Sequence, residues 1–241
     1  TGSYNVAIGK GALDSEDAHG YNTAIGVNAL NAQDAGATAY NVAVGYSAGG
    51  AVSTGVRNTI VGGQAGDALT TGSDNAAIGY QALGGEDTGN KNTAVGSYAL
   101  QDLNYGGNGY NTAVGYVAGQ DITTGIKNTI MGGLAGDALT TGDNNVAIGY
   151  AALSGEDGNG RNIAVGAGAL YALNAGADAY NIAIGYDAGG SMSTGVNNTI
   201  IGGLAGDALT TGSYNVAIGH LALTNEDAHG YNVAIGYQAL K

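Results

Sequence analysis

Four carboxylate pairs recur at one interval: Glu16-Asp17, Glu86-Asp87, Glu156-Asp157 and Glu226-Asp227 stand 70 residues apart. Paired acids serve general acid–base chemistry or a hard cation such as calcium, which takes about six to eight oxygen ligands. With Asp14 close to the first pair, a weak calcium site is the sharper reading. Against it, adjacent residues of an extended chain point to opposite faces, so one pair delivers a single carboxylate to a given point. The plainer reading is solvated turn charge that keeps the surface soluble and its edges unpaired, with no cofactor. His19 and His229 follow two of the pairs, but the copies of that position are Gly89 and Asn159, and His220 lies in another context. With no Cys, and with serines scattered through turns, no nucleophile–base arrangement stands out. The chain does not read as an enzyme.

Tyrosine is the other candidate chemistry, since 16 Tyr stand against no Trp and no Phe. A ring apolar on its face and polar at its tip suits a sugar or a protein surface. Tyr105 and Tyr171 lie in the longer, more variable loops, beside Asn104 and Asn174 and in the company of Asp34 in the first such loop. These are the candidates for contact with a glycan or protein receptor. Most of the remaining tyrosines are more regular. Tyr4, Tyr21, Tyr40, Tyr110, Tyr180, Tyr214 and Tyr231 precede an anchor Asn, whereas Tyr46, Tyr80, Tyr116, Tyr150, Tyr186 and Tyr237 follow a Gly. Both sets read as stacked ladders.

What positions these residues is a nine-residue phrase, Asn5-Val6-Ala7-Ile8-Gly9-Lys10-Gly11-Ala12-Leu13, present in fourteen versions. Its anchor asparagines, Asn5, Asn22, Asn41, Asn58 and onward, are spaced 17, 19, 17 and 17 residues before the cycle restarts. A period of this kind defines a linear repeat architecture and has to be read before any local feature. The chain is one repeat array over 1–241, with super-repeats at 5–74, 75–144, 145–214 and a partial copy at 215–241.

Three residues after each anchor comes a large aliphatic, Ile8, Ile25, Val44 and Val61 being the first four, and the next residue is always Gly. Alternation rich in Val, Ile and Thr and closed by Gly is a short strand of about five residues, and Gly with β-branched residues in every turn disfavours helix. Such strands are stable only when stacked on their own copies as parallel rungs roughly 4.8 Å apart. The expected fold is therefore all-β: a parallel β-solenoid or β-roll of fourteen rungs, two short strand segments to a rung, forming a rod about 65 Å long. Ile8, Ile25, Val44 and Val61 are expected to form its internal apolar column, and the asparagines to exchange amide hydrogen bonds up the stack. Gly9 and its equivalents mark unusual dihedrals or a close backbone approach. The constant Ala12 position marks tight packing. The residue after that alanine alternates in pairs, Leu13 and Leu30 against Gly49 and Gly66. Volume missing at the glycines is expected to return later in the same rung.

Composition narrows the function. With 19 acidic residues against 6 basic ones, the formal charge of −13 leaves no positive patch for nucleic acid or an anionic membrane. No apolar run reaches transmembrane length, and the lack of Cys means the array holds together without disulfides. The array opens in mid-phrase at Thr1 and stops just after Leu240, which reads as a fragment or as a segment whose ends are covered by neighbours.

The Asn-headed phrases Asn5-Val6-Ala7-Ile8-Gly9 and Asn22-Thr23-Ala24-Ile25-Gly26 resemble the head repeats of trimeric autotransporter adhesins and similar repeats of phage tail fibres. The likeness covers all fourteen rungs once Val or Met is admitted at the aliphatic position, and Ile60, Ile130 and Ile200 depart from the Ala that precedes it. The resemblance implies a left-handed parallel β-roll that forms a homotrimer, placed on a virion, extracellular or cell surface for adhesion or projection. Close contact between chains also suits the many Gly and Ala, which bury little in a lone slim coil. The expected role is thus a structural fibre or adhesin-head segment. A decoration protein packing on a shell or filament and a carbohydrate-binding module are the alternatives.

Overall fold

The computed structural model describes residues 3–15, 20–155, 158, 160–225 and 227–241. The chain divides into two compact units, Thr1–Thr124 and Gly125–Lys241. The first holds β1 (Val6–Ile8), β2 (Thr23–Ile25), β3 (Val42–Val44), β4 (Thr59–Val61), β5 (Ala76–Ile78), β6 (Thr93–Val95) and β7 (Thr112–Val114). The second holds β8 (Thr129–Met131), β9 (Val146–Ile148), β10 (Ile163–Val165), β11 (Ile182–Ile184), β12 (Thr199–Ile201), β13 (Val216–Ile218) and β14 (Val233–Ile235). Within each unit every strand pairs in parallel with its sequence neighbours, in strict register: Ile8 lies beside Ile25, Ile25 beside Val44 and Val44 beside Val61. Each unit is a parallel β-solenoid, as the repeat implies.

Among the described residues the strands are shorter than the alternation suggests, three residues each, and each rung contributes one strand rather than two. The rest of the rung is held by turn-to-turn bonds with the same rung-to-rung step, such as Leu30 N donating to Ala48 O at 3.1 Å and Gln64 N to Tyr46 O at 2.8 Å. Backbone donors are thus satisfied without a second sheet.

The core column is not the one read from the phrase. In β2 to β14 the middle residue is buried and its two neighbours are not. Ile8 is 59% exposed and Ile25 36%, and Val44 and Val61 are half-buried on that same outer face. Ala24, Ala43, Ile60, Ala77, Ala94 and Ala113 point inward instead. The register follows the phrase and the face is the opposite one; in a structure of period two, a one-residue slip inverts every side chain. The interior of so short a rung has room for a methyl at the strand, and larger plugs arrive from the turns.

Those plugs form two further columns. One is Leu30, Gly49, Gly66, Leu83, Leu100 and Gly119, all at positive φ. Placing Leu in the left-handed region costs about 1–2 kcal/mol, while burying its side chain returns roughly 1.5–3 kcal/mol, so burial wins narrowly. The other column is Gln33, Val52, Leu69, Glu86, Leu103 and Ile122, every one fully buried. The Ala12 position packs tightly as expected, its equivalents Ala29, Ala48 and Ala65 having no exposed surface.

Two other expectations are met in altered form. The asparagine ladder runs from backbone to side chain: Asn22, Asn41 and Asn58 N–H donate to the preceding Asn Oδ1 at 2.9, 3.0 and 2.8 Å. Many amide nitrogens turn across the rung, Asn58 Nδ2 donating to Gly72 O at 2.9 Å, while those of Asn198 and Asn232 also reach the preceding Asn Oδ1 at 3.2 and 3.1 Å. Gly9 satisfies both readings offered for it, since its φ is 129° and a Cβ there would overlap the carbonyl of Gly26 in the next rung.

Candidate functional site

Of the carboxylate pairs, Glu16-Asp17, Glu156-Asp157 and Glu226 lie outside the described residues, while Asp14 and Asp227 are exposed. Glu86 is not solvated turn charge. It stands in the third core column, fully buried, where other rungs have Val52, Leu69 or Leu103. Its Oε1 accepts from Gly89 N at 2.7 Å and its Oε2 from Tyr105 N at 3.4 Å. Desolvation raises its pKa, outweighing the opposing pull of the Gly89 and Tyr105 N–H groups. Gly89 makes this possible, because a Cβ there would overlap the carboxylate. Asp87 contributes its backbone carbonyl, which accepts from Thr70 N at 2.6 Å and Thr70 Oγ1 at 2.8 Å. Neither residue aims a carboxylate at a common outside point. Among the described residues no group of three or more His, Cys, Asp or Glu is placed to hold a metal ion.

The loop candidates separate. Asp34, Asn104 and Asn174 are exposed, at one structural position, each fixed by its backbone N–H donating to Ser53, Thr123 or Ser193 O at 2.8, 2.8 and 2.6 Å. Tyr105 is half-buried above Glu86. Tyr171 is 54% exposed.

The tyrosines do form columns. Ahead of the anchor Asn, the ring centroids of Tyr4 and Tyr21 are 4.8 Å apart, Tyr21 and Tyr40 5.3 Å, and Tyr214 and Tyr231 5.1 Å. The same column admits charge that the tyrosine pattern alone did not signal. Arg57 pairs with Asp74 at 2.5 and 2.8 Å, Lys91 Nζ lies 5.2 Å from the Tyr110 centroid, and Arg161, paired with Asp178, lies 5.5 Å from that of Tyr180. Mutual hydrogen bonding raises the Arg57 pKa and lowers that of Asp74. After the strand glycine, Tyr80, Tyr98 and Tyr116 meet edge to face at 5.4 and 6.3 Å, and His220 stacks on Tyr237 at 5.8 Å.

Tyr98 exposes a site that the sequence reading missed. Asn28, Tyr98 and Gly168 occupy one position in successive super-repeats. At Tyr98 the space is filled by its ring, and Gln101 bridges Gln81 and Gln120 at 3.3 and 2.8 Å. At Asn28 a shallow polar hollow of about 390 Å³ remains, lined by Asn28, Asn31, Ser47 and Asp67. At Gly168 the hollow becomes a cleft of about 500 Å³, lined by Tyr150, Tyr171, Tyr186, Asp187, Ser191 and Asp207 among others. Tyr150 and Tyr186, 63% and 62% exposed, come from the rungs on either side of Gly168 and wall the gap left by the absent ring. Hydrogen bonding with Asp187, and then its charge, raise the Tyr186 phenol pKa. Only Tyr171 of this set was a sequence candidate. Aligning the super-repeats column by column would have found the rest, because Gly168 is the one small residue among Asn28, Tyr98 and itself.

Fold and surface together define the class, a parallel β-solenoid repeat protein with outward tyrosine columns. No family model, curated protein or solved structure matches the chain.

Proposed function

We propose that the chain is a structural segment of a fibre or adhesin head on a virion or cell surface, in which three copies associate side by side. The observation that supports this is the outer strand face. The first and third residues of all fourteen strands are Val, Ile, Thr, Ala or Met, with no charge among them. Several are well exposed: Val6 46%, Ile78 38%, Met131 46% and Ile184 39%. An uncharged face of this kind, largely Val and Ile with interspersed Thr, marks an interaction surface. Chains that each carry −13 repel through their turns and approach through an uncharged face. Three copies, rather than two, is the number that the adhesin-head resemblance implies. Among the described residues no helix is long and apolar enough to cross a membrane.

The test is mass in solution by light scattering. The expected species is three times the 23.4 kDa chain, converted to monomer by Ile78→Asp with Ile148→Asp while the circular dichroism spectrum persists. A stable wild-type monomer at tens of micromolar would end the assembly reading.

A further inference from the structure

We propose that the cleft opened by Gly168 binds a ring of an uncharged hexopyranose. The proposal deepens the presentational role above, and the two can fail separately.

Geometry is the first argument. Tyr150 and Tyr186 belong to rungs on either side of the Gly168 rung. Two steps at the parallel-strand spacing separate their backbones by about 9.6 Å. A flat ring in van der Waals contact with both walls needs about 7–8 Å, and the chair of a pyranose takes up the remainder. The volume of about 500 Å³ accommodates one or two sugar residues on the scale of known ligand sites. Tyr171 adds a third ring from the turn.

Chemistry is the second. A pyranose has apolar C–H faces and a rim of hydroxyls, each both donor and acceptor. The cleft mirrors this, with three exposed tyrosines and a rim of Asp187, Asp207 and Ser191. Carboxylates accept from sugar hydroxyls in charge-assisted bonds. They also repel acidic sugars, as does the charge of −13. A small ammonium ion would leave most of the volume of about 500 Å³ as water.

The third argument is the internal control. Tyr98, with φ 61°, shows that this backbone position accepts tyrosine in the left-handed region, where Gly168 has φ 70°. Gly168→Tyr should therefore fold while filling the cleft. A Cβ there would also overlap the Asp187 carboxylate and push it out of the cleft.

The test is saturation-transfer NMR on the whole chain with the methyl glycosides of glucose, galactose, mannose, N-acetylglucosamine and N-acetylgalactosamine. Methyl sialoside and tetramethylammonium are the charged arms. Transfer to at least one neutral glycoside is expected, lost in Gly168→Tyr and weakened tenfold or more in Tyr171→Ala, with melting temperatures unchanged. No transfer to any neutral glycoside, transfer that survives Gly168→Tyr, or stronger transfer to either charged probe overturns the proposal. Mass measured on the same sample separates the two readings: a trimer that binds no sugar sinks the cleft alone, and a monomer that binds sinks the assembly alone.

Discussion

The leucine rungs and the glycine rungs solve one packing problem in two ways. In the rung headed by Asn22, a small Ala24 faces inward from the strand and Leu30 plugs the turn. In the rung headed by Asn58 the sizes are exchanged: Ile60 faces inward from the strand, the turn has Gly66, and Leu69 follows. The intervening rung has Ala43 and Gly49, small at both places, with Val52 after them. Its missing volume comes from three directions, since a Cβ at Gly49 would stand 2.8 Å from Ile60 Cδ1, 3.1 Å from Leu30 Cδ2 and 3.2 Å from Val52 Cγ2. Gly189, in the second unit, is surrounded in the same way by Ile200, Leu170 and Met192. The three departures from the Ala-aliphatic phrase, Ile60, Ile130 and Ile200, are therefore compensations. Volume is balanced over neighbouring rungs, and the packing unit is the 70-residue super-repeat rather than the single rung.

Gly49→Leu breaks this balance most severely. Three side chains already occupy the space, so overpacking of about 1–3 kcal/mol adds to a left-handed leucine costing roughly 1–2 kcal/mol. A total loss near 4 kcal/mol is expected in denaturant unfolding, and a neutral result would show that the volumes are not shared. Ile60→Ala comes next, at about 3 kcal/mol for the cavity. Its value lies in the pair: a Cβ at Gly66 would stand 3.5 Å from Ile60 Cδ1, so truncating Ile60 makes room for a larger turn residue. Gly66→Leu with Ile60→Ala recreates the Ala-and-Leu pairing of the Asn22 rung. The double variant should be more stable than the sum of the singles predicts by roughly 1–2 kcal/mol, and strict additivity would refute the exchange.

Much of this was legible in the sequence. Fourteen phrases at steps of 17 or 19 residues dictate parallel stacking in register, and the glycine after each strand announces a position without room for a side chain. The face was not legible from alternation. Ile8 and Ala7 alternate equally well in either orientation, and the larger residue would normally be assigned to the core. What decides it is the width of the rung, a tertiary quantity, visible in sequence only through the correlated swap of Ala24 with Leu30 for Ile60 with Gly66. The candidate site failed for a related reason. Glu86 reads as surface charge because it neighbours Asp87 and several glycines, yet its distance from the anchor Asn75 puts it in the column of Val52 and Leu103. Tyr171 was found by loop composition. Tyr150, Tyr186 and Asp187 were not, since they look like every other rung until Gly168 is set against Tyr98.

Among the described residues Glu86 is the ionisable member of the third core column, and the smallest effect comes from it. Its neighbours in that column, Leu69 and Leu103, have no protonation state, whereas burial raises the Glu86 pKa above the ordinary value of 4.5. Between the unfolded and folded values the native chain holds the extra proton, so ν_U − ν_N is negative and stability falls as pH rises through that window. The stability associated with protonated Glu86 is fully present below the unfolded value and is lost as pH rises through the folded one. Glu86→Gln removes the titration while keeping an oxygen to accept from Gly89 N–H. Its absolute stability also reflects the weaker Tyr105 bond, so the informative quantity is the melting-temperature difference, variant minus wild type, at two pH values. That difference should be more favourable to the variant at pH 7 than at pH 4. A flat or reversed difference would mean the carboxyl keeps its hydration, and that the third column is not continuous through this rung.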